Sequence, residues 1–219
     1  MRMILGILAT LVAAVGLSGC LREEVTHTIY LRPSGVVWSA IERDVRSDET
    51  SATDRLREEQ DFTLAVGAGT HPIAKSLQRL GGRTVTTTWL RRERPYSVMT
   101  EATFADAREL VQTILRDAQA NGDVTLRPEG CQTRLAIRVD LESAPESHGD
   151  HAIDELLTDL AGYRFVLTEG RFTSADGFLI EDEGAVAVPD QQKAPVDGIL
   201  TLALTWANEG CVPHLPNGR

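Results

Sequence analysis

From Cys131 to Leu141 the chain alternates with a period of two. Cys131, Thr133, Leu135, Ile137, Val139 and Leu141 take one phase, and Gln132, Arg134, Arg138 and Asp140 the other, with Ala136 among them. That period sorts side chains onto the two faces of a strand, one for a core and one for water. A strand with one wet face belongs to an antiparallel sheet. The same alternation, broken by turn residues, recurs along the chain. Residues 25–32 place Val25, His27, Ile29 and Leu31 on one face, then turn at Pro33-Ser34-Gly35. Residues 36–45 follow, with Val37, Ile41 and Val45 on one face. Residues 84–90 and 96–102 flank the run Arg91-Arg92-Glu93-Arg94-Pro95, and residues 124–127 meet 131–141 across Pro128-Glu129-Gly130. Short turns between alternating runs predict hairpins, and hairpins pair antiparallel.

Helical periods separate the hairpins. Residues 54–66 read as a helix, with Ser51 and Asp54 spaced as a capping box. A second helix begins with Thr70 as N-cap and Pro72 in its first turn, and ends at Gly81-Gly82. Phe104, Ala107, Leu110, Val111, Ile114, Leu115 and Ala118 mark a third, with Thr103 as its cap and Asp106 completing the box. Residues 151–161 carry Ile153, Leu156, Leu157 and Leu160 and predict a fourth. Residues 164–168, 172, 178–180, 185–188 and 199–207 read as a closing β meander. The expected fold is α+β: one antiparallel sheet built from hairpins, with about four helices packed on one face. The three strand-strand-helix units share no residue-level identity, so they are not a repeat. With 42% hydrophobic and 25% charged residues, the chain has ordinary globular proportions.

The first twenty residues stand apart from this pattern. Arg2 is followed by an apolar run from Met3 to Leu17, then by Ser18, Gly19 and Cys20. That order of parts is the order of a secretory signal peptide. The run is short for a spanning helix, which needs roughly 20 apolar residues. An ordinary secretory signal or an uncut membrane anchor are the alternatives. The run Leu17-Ser18-Gly19-Cys20 closely resembles the lipobox of bacterial lipoproteins. The resemblance implies that the chain is cut before Cys20 and that Cys20 carries the acyl chains. The domain plan is then a signal peptide over 1–19, a short tether over 20–24, one α+β domain over 25–207, and a Pro/Gly-containing tail over 208–219. Two or more acyl chains hold a protein stably at a membrane.

The same resemblance implies a place in the bacterial cell envelope, on the non-cytoplasmic side. By the sorting rule known for enteric lipoproteins, Leu21 after the cysteine favours the outer membrane where there is one. Residues 167–206 also resemble, loosely, the C-terminal strands of LppM-type envelope lipoproteins. They share a Gly-containing turn, an Asp-Gly turn and a closing strand that ends in Trp206. That likeness implies a domain related to lipid-transfer folds.

Cys131 and Cys211 remain after Cys20. Two cysteines in an exported domain read as one disulfide, with free thiols as the alternative. The 80-residue separation closes a loop whose constraint on the unfolded chain is about 4.5 kcal/mol in the chain-entropy model.

The formal net charge is −10, and it becomes −11 when Arg2 is lost with the leader. Such acidity argues against nucleic acid as a partner. It also means that acyl chains, not surface charge, hold the domain to a membrane. Arg91, Arg92 and Arg94, beside Trp89 and Tyr96, form a basic hairpin tip suited to phosphate headgroups; a solvated turn balanced by Glu93 is the bland alternative. His148 and His151 with Asp154 and Glu155 have the density of a metal site, but Asp150 caps and the acids suit a helix start, so no metal is expected. Gly67-Ala68-Gly69-Thr70-His71 joins two helices and does not follow a strand, so it reads as a turn, not a phosphate cradle. Glu42 and Asp44 lie two apart as paired carboxylates might, yet charged strand positions usually face water. No elbow serine, zinc-protease helix or calcium loop is present, so no catalytic residue and no cofactor are expected. The sequence thus points to a non-enzymatic, membrane-anchored binding or assembly module whose partner is an envelope protein or a lipid. A lipid-handling domain with an apolar cavity is the rival, and a metal-dependent enzyme a more distant one.

Overall fold

A computed structural model of the chain describes residues 21–117, 120–140 and 163–208. Among them are eleven strands and three α-helices. The strands are β1 (Leu21–Arg32), β2 (Gly35–Ser47), β3 (Arg83–Arg91), β4 (Tyr96–Phe104), β5 (Asn121–Glu129), β6 (Gln132–Asp140), β7 (Tyr163–Leu167), β8 (Arg171–Asp176), β9 (Phe178–Glu181), β10 (Val186–Pro189) and β11 (Ile199–Ala207). The helices are α1 (Ala52–Gly67), α2 (Pro72–Arg79) and α3 (Ala107–Asp117).

The three expected hairpins form: β1–β2, β3–β4 and β5–β6 all pair antiparallel. The expected assembly does not. The strands divide into a seven-stranded sheet, ordered β3-β4-β2-β1-β7-β10-β9, and a four-stranded sheet, ordered β5-β6-β11-β8. The expected single antiparallel sheet under about four helices is therefore corrected to a mostly β fold with two sheets. Nor is the large sheet wholly antiparallel, because β7 joins β1 parallel, with Ile29 opposite Phe165. Turn chemistry reports only neighbours in sequence, whereas a parallel pair needs a long crossover. The helix expected over 151–161 lies outside the described residues.

Sheet separation follows from burial. On β2, Val36, Val37, Trp38, Ser39 and Ala40 are all buried, so this strand has no wet face in its first half. On β11, Leu200, Leu202 and Leu204 are buried, with Leu204 opposite Leu135 of β6. Leu110, Val111 and Leu115 of α3 join the buried faces of the two sheets into one core with Trp38, Phe104, Val139 and Leu202. A satellite core of Val45, Phe62, Val66 and Val98 lies under α1.

Local details correct three expectations. The strand begins at Leu21, so Leu21–Glu24, expected as spacer, are paired with the end of β2. His71, not Thr70, stands at the N-cap of α2. Asp106, not Thr103, caps α3: its Oδ1 accepts from the Glu109 N–H at 2.8 Å, while Thr103 stays in β4 and donates to the Arg83 carbonyl. The capping serine of α1 is as expected, with Ser51 Oγ accepting from the Asp54 N–H.

Candidate functional site

Two regions of the fold hold more than packing requires. The first is a polar chain inside the large sheet. Register places Val25 beside Glu42, His27 beside Ala40, and Ala40 beside Thr100, on the face that carries Ile29, Trp38 and Ala102. Glu42 is thus turned inward and is 1% exposed. Its expected neighbour Asp44 is not part of the pair. Asp44 has a positive φ of 53° within a register shift between Glu42 and Val45, which breaks the alternation and leaves it exposed. The carboxylate partner of Glu42 is instead Glu23 of β1.

Glu23 lies at another register shift, between Arg22 and Glu24. Its carboxyl group is pushed up to about 7, first by desolvation, then by the charge of Glu42 and the hydrogen bond between the two groups. The residue as a whole is exposed, so solvent screens part of this effect.

Deeper still, His71 is wholly buried. Pro72 opens α2, and the His71 ring makes no cap bond; it points into the sheet. Its Nε2 lies 2.9 Å from Thr100 Oγ1 and 3.3 Å from Glu42 Oε2. Thr87 Oγ1 extends the chain at 3.3 Å from Thr100 Oγ1. The trio of hydroxyl, imidazole and carboxylate has no relay geometry. A relay needs the two ring nitrogens to serve different partners, yet here both partners meet Nε2 and the buried Nδ1 has none. His27 closes the group: its Nδ1 accepts from Trp38 Nε1 at 3.1 Å, and its ring stacks on Tyr163 at 4.9 Å. Burial holds the His27 imidazole below the usual histidine range, against the opposing pull of Glu42.

The second region is at the opposite end of the large sheet, beyond the β1–β2 turn. An open cleft of about 410 Å³ lies there between the two sheets. Leu31, Val36, Leu126, Leu167 and Trp206 form its apolar wall, with Arg32, Asp106 and Glu169 among its polar residues. Gly35 shapes it: at φ 137°, its missing Cβ would meet the Phe104 carbonyl at 2.8 Å. The volume is within the range of small-ligand sites, roughly 300–1,000 Å³. A second void, of about 30 Å³, sits in the core among Val111, Ile137, Phe165 and Leu202, and every side chain lining it is apolar or aromatic. It is far smaller than small-ligand sites, which run to roughly 300–1,000 Å³.

The basic tip lies with the polar chain, not the cleft. Trp89 pairs with Val98, Val98 with Glu42, and Glu42 with Val25, so the β3–β4 turn and the start of β1 share one end of the sheet. Arg94 Nε binds Glu59 Oε1 of α1 at 2.9 Å, while Arg91 and Arg92 are exposed with no described ion pair. Trp89 and Tyr96 do not flank the tip as free rings; they pack with Phe62 under α1. Leu90, 51% exposed, is the apolar side chain presented there.

Cys131 sits at the β5–β6 turn and is not a free thiol. Cys20, Cys211, His148, His151, Asp154 and Glu155 lie outside the described residues. Among the described residues no cluster of three or more His, Cys, Asp or Glu is placed to hold a metal ion, and no helix is long and apolar enough to cross a membrane. The sequence reading assigned no role to Glu23, His71 or Thr100.

No family model matches the chain, and no curated protein matches it. Among solved structures it is similar to the folded domain of the Mycobacterium tuberculosis protein LppM, determined by NMR. The identity is 18%, the TM-score 0.35, and the match covers 87% of this chain and 91% of that one.

Proposed function

We propose that the chain is a membrane-anchored envelope lipoprotein, a non-enzymatic binding or assembly module held through acylated Cys20. The observation that carries this reading is the position of Leu21. It enters the sheet directly after Cys20, while the open cleft lies at the far end of β1, on the order of 36 Å away along the strand. An anchor at Cys20 would hold the first end against the bilayer and leave the cleft facing the aqueous compartment. The outer membrane is the favoured location where the organism has one, and the cleft is the favoured seat of the partner.

The rival lipid-handling reading needs an apolar cavity large enough for acyl chains. Of the two spaces described, the wholly apolar one measures about 30 Å³ and the large one is open with a mixed lining.

A disulfide between Cys131 and Cys211 completes the proposal. Gln132 pairs with Ala207, so Cys131 lies beside the point where the chain leaves β11. Three residues from Asn208 to Cys211 reach about 10 Å.

Cys20→Ala tests the anchor. The parent should incorporate radiolabelled palmitate and mature to the shorter chain, and the variant should do neither; equal labelling of the two rejects the reading. A photo-crosslinking residue at Ser34, on the cleft, should trap a partner in intact cells that the same residue at Arg127 does not. Equal crosslinking at both sites removes the cleft from the proposal. Peptide mapping without reductant should recover Cys131 and Cys211 in one fragment.

A further inference from the structure

We propose that the Leu21 end of the large sheet is a docking surface for anionic phospholipid headgroups, with Arg91 and Arg92 as its binding cations. This deepens the anchored reading and takes from it only where the membrane lies.

Four observations carry it. The β3–β4 tip and the start of β1 share one end of the sheet, separated by three strand spacings, about 14 Å. An anchor beside Leu21 would therefore bring the tip to the headgroup layer without any domain movement. Secondly, the tip is held in place: Arg94 is tied to Glu59, and Trp89 and Tyr96 pack on Phe62. A rigid tip loses little conformational freedom on docking.

Thirdly, Leu90, Arg91 and Arg92 are consecutive and exposed, so the tip leaves one apolar side chain and two phosphate-binding guanidinium groups open to solvent. Fourthly, several acids near this end are already engaged. Glu59 holds Arg94, Glu58 accepts from Ser47 Oγ, Glu24 faces Arg43 across the strands, and desolvation and the charge of Glu42 push the Glu23 carboxyl up to about 7. Asp44, Asp48 and Glu93 are exposed acids that remain near the tip and the end of β2, against Arg22, Arg46, Arg91 and Arg92. On a chain of net charge −10, Arg91 and Arg92 give the tip itself two exposed cations against the one acid Glu93.

The test uses the full chain with its acyl groups, reconstituted into vesicles of brominated phosphatidylcholine, alone or with phosphatidylglycerol. Trp38 and Trp206 are buried, so quenching by bromine reports on Trp89 beside the tip. Quenching should rise when phosphatidylglycerol is added and fall again at high salt. Arg91→Ser with Arg92→Ser should lower the docked-to-undocked ratio by about fivefold per arginine. The lysine pair Arg91→Lys with Arg92→Lys should keep most of it. Arg127→Ser with Arg134→Ser, on the exposed face of the small sheet, should match the parent. Equal quenching with and without phosphatidylglycerol, or a serine pair that behaves as the parent, overturns the proposal. Retention of the chain through a wash reads the anchor separately. A chain that washes off is added back to the same vesicles, where the dependence on Arg91 and Arg92 decides as before.

Discussion

His71 Nε2 lies 3.3 Å from Glu42 Oε2, and neither side chain is more than 2% exposed. A carboxylate and an imidazole in such a place are each costly alone and tolerable together. His71→Ala should therefore destabilise the domain by about 3 kcal/mol or more, because it leaves Glu42 buried without its partner. Replacing both residues with leucine should cost much less than the single change. Urea unfolding of the two variants measures the difference, and equal losses would mean that the pair acts only through packing.

Glu23 sets the pH response at the start of β1. Its folded value of about 7 lies above the ordinary value of 4.5. The stability it contributes is therefore full below pH 4.5 and is lost as pH rises through 7. Glu23→Gln should flatten that slope and raise stability above neutrality by about 1 kcal/mol, after allowance for solvent screening at an exposed residue. Unfolding midpoints measured across this range should show the slope in the parent and not in the variant.

His27 works in the opposite direction. Burial favours its neutral form in the folded chain, so the unfolded chain takes up the proton first as pH falls. Stability should then be lost on acidification below 6.5, the ordinary histidine value. His27→Gln keeps an acceptor for Trp38 Nε1 and should remove that acid limb. Proton-detected titration of the ring should place its midpoint below that of a free histidine.

Gly170 turns the chain from β7 to β8 with φ 83°, and a Cβ there would lie 2.0 Å from the Ala207 carbonyl. Gly170→Ala should cost about 2 kcal/mol or more, since both the backbone conformation and the end of β11 resist it. Gly130, with φ 63° and open space around its Cβ position, should lose only the conformational part. Thermal unfolding of the two alanine variants separates strain from collision.

Much of the strand pattern can be read from the chain, because alternation and turn residues are local. Leu135, Ile137 and Val139 fall on the buried face that their spacing implies. Pairing between distant strands is another matter: nothing near Ile29 announces Phe165 as its neighbour. Glu42 was expected to face water because charged strand residues usually do, but it shares the inward phase of Trp38 and Ala40, and the irregularity that follows at Asp44 separates it from its expected partner. Thr100 and His71 are ordinary residues in sequence and acquire meaning only when β4 and the cap of α2 meet over β2.

The direct entry of Leu21 into β1 has a mechanical consequence. Here β1 is an interior strand, gripped by β2 on one side and β7 on the other. Tension applied at Leu21 along the strand would load both hydrogen-bond ladders in shear, so their bonds would share the strain instead of parting one after another. A load-bearing joint of this kind has no slack to take up, and machinery that pulled on this terminus would be pulling on the centre of the fold.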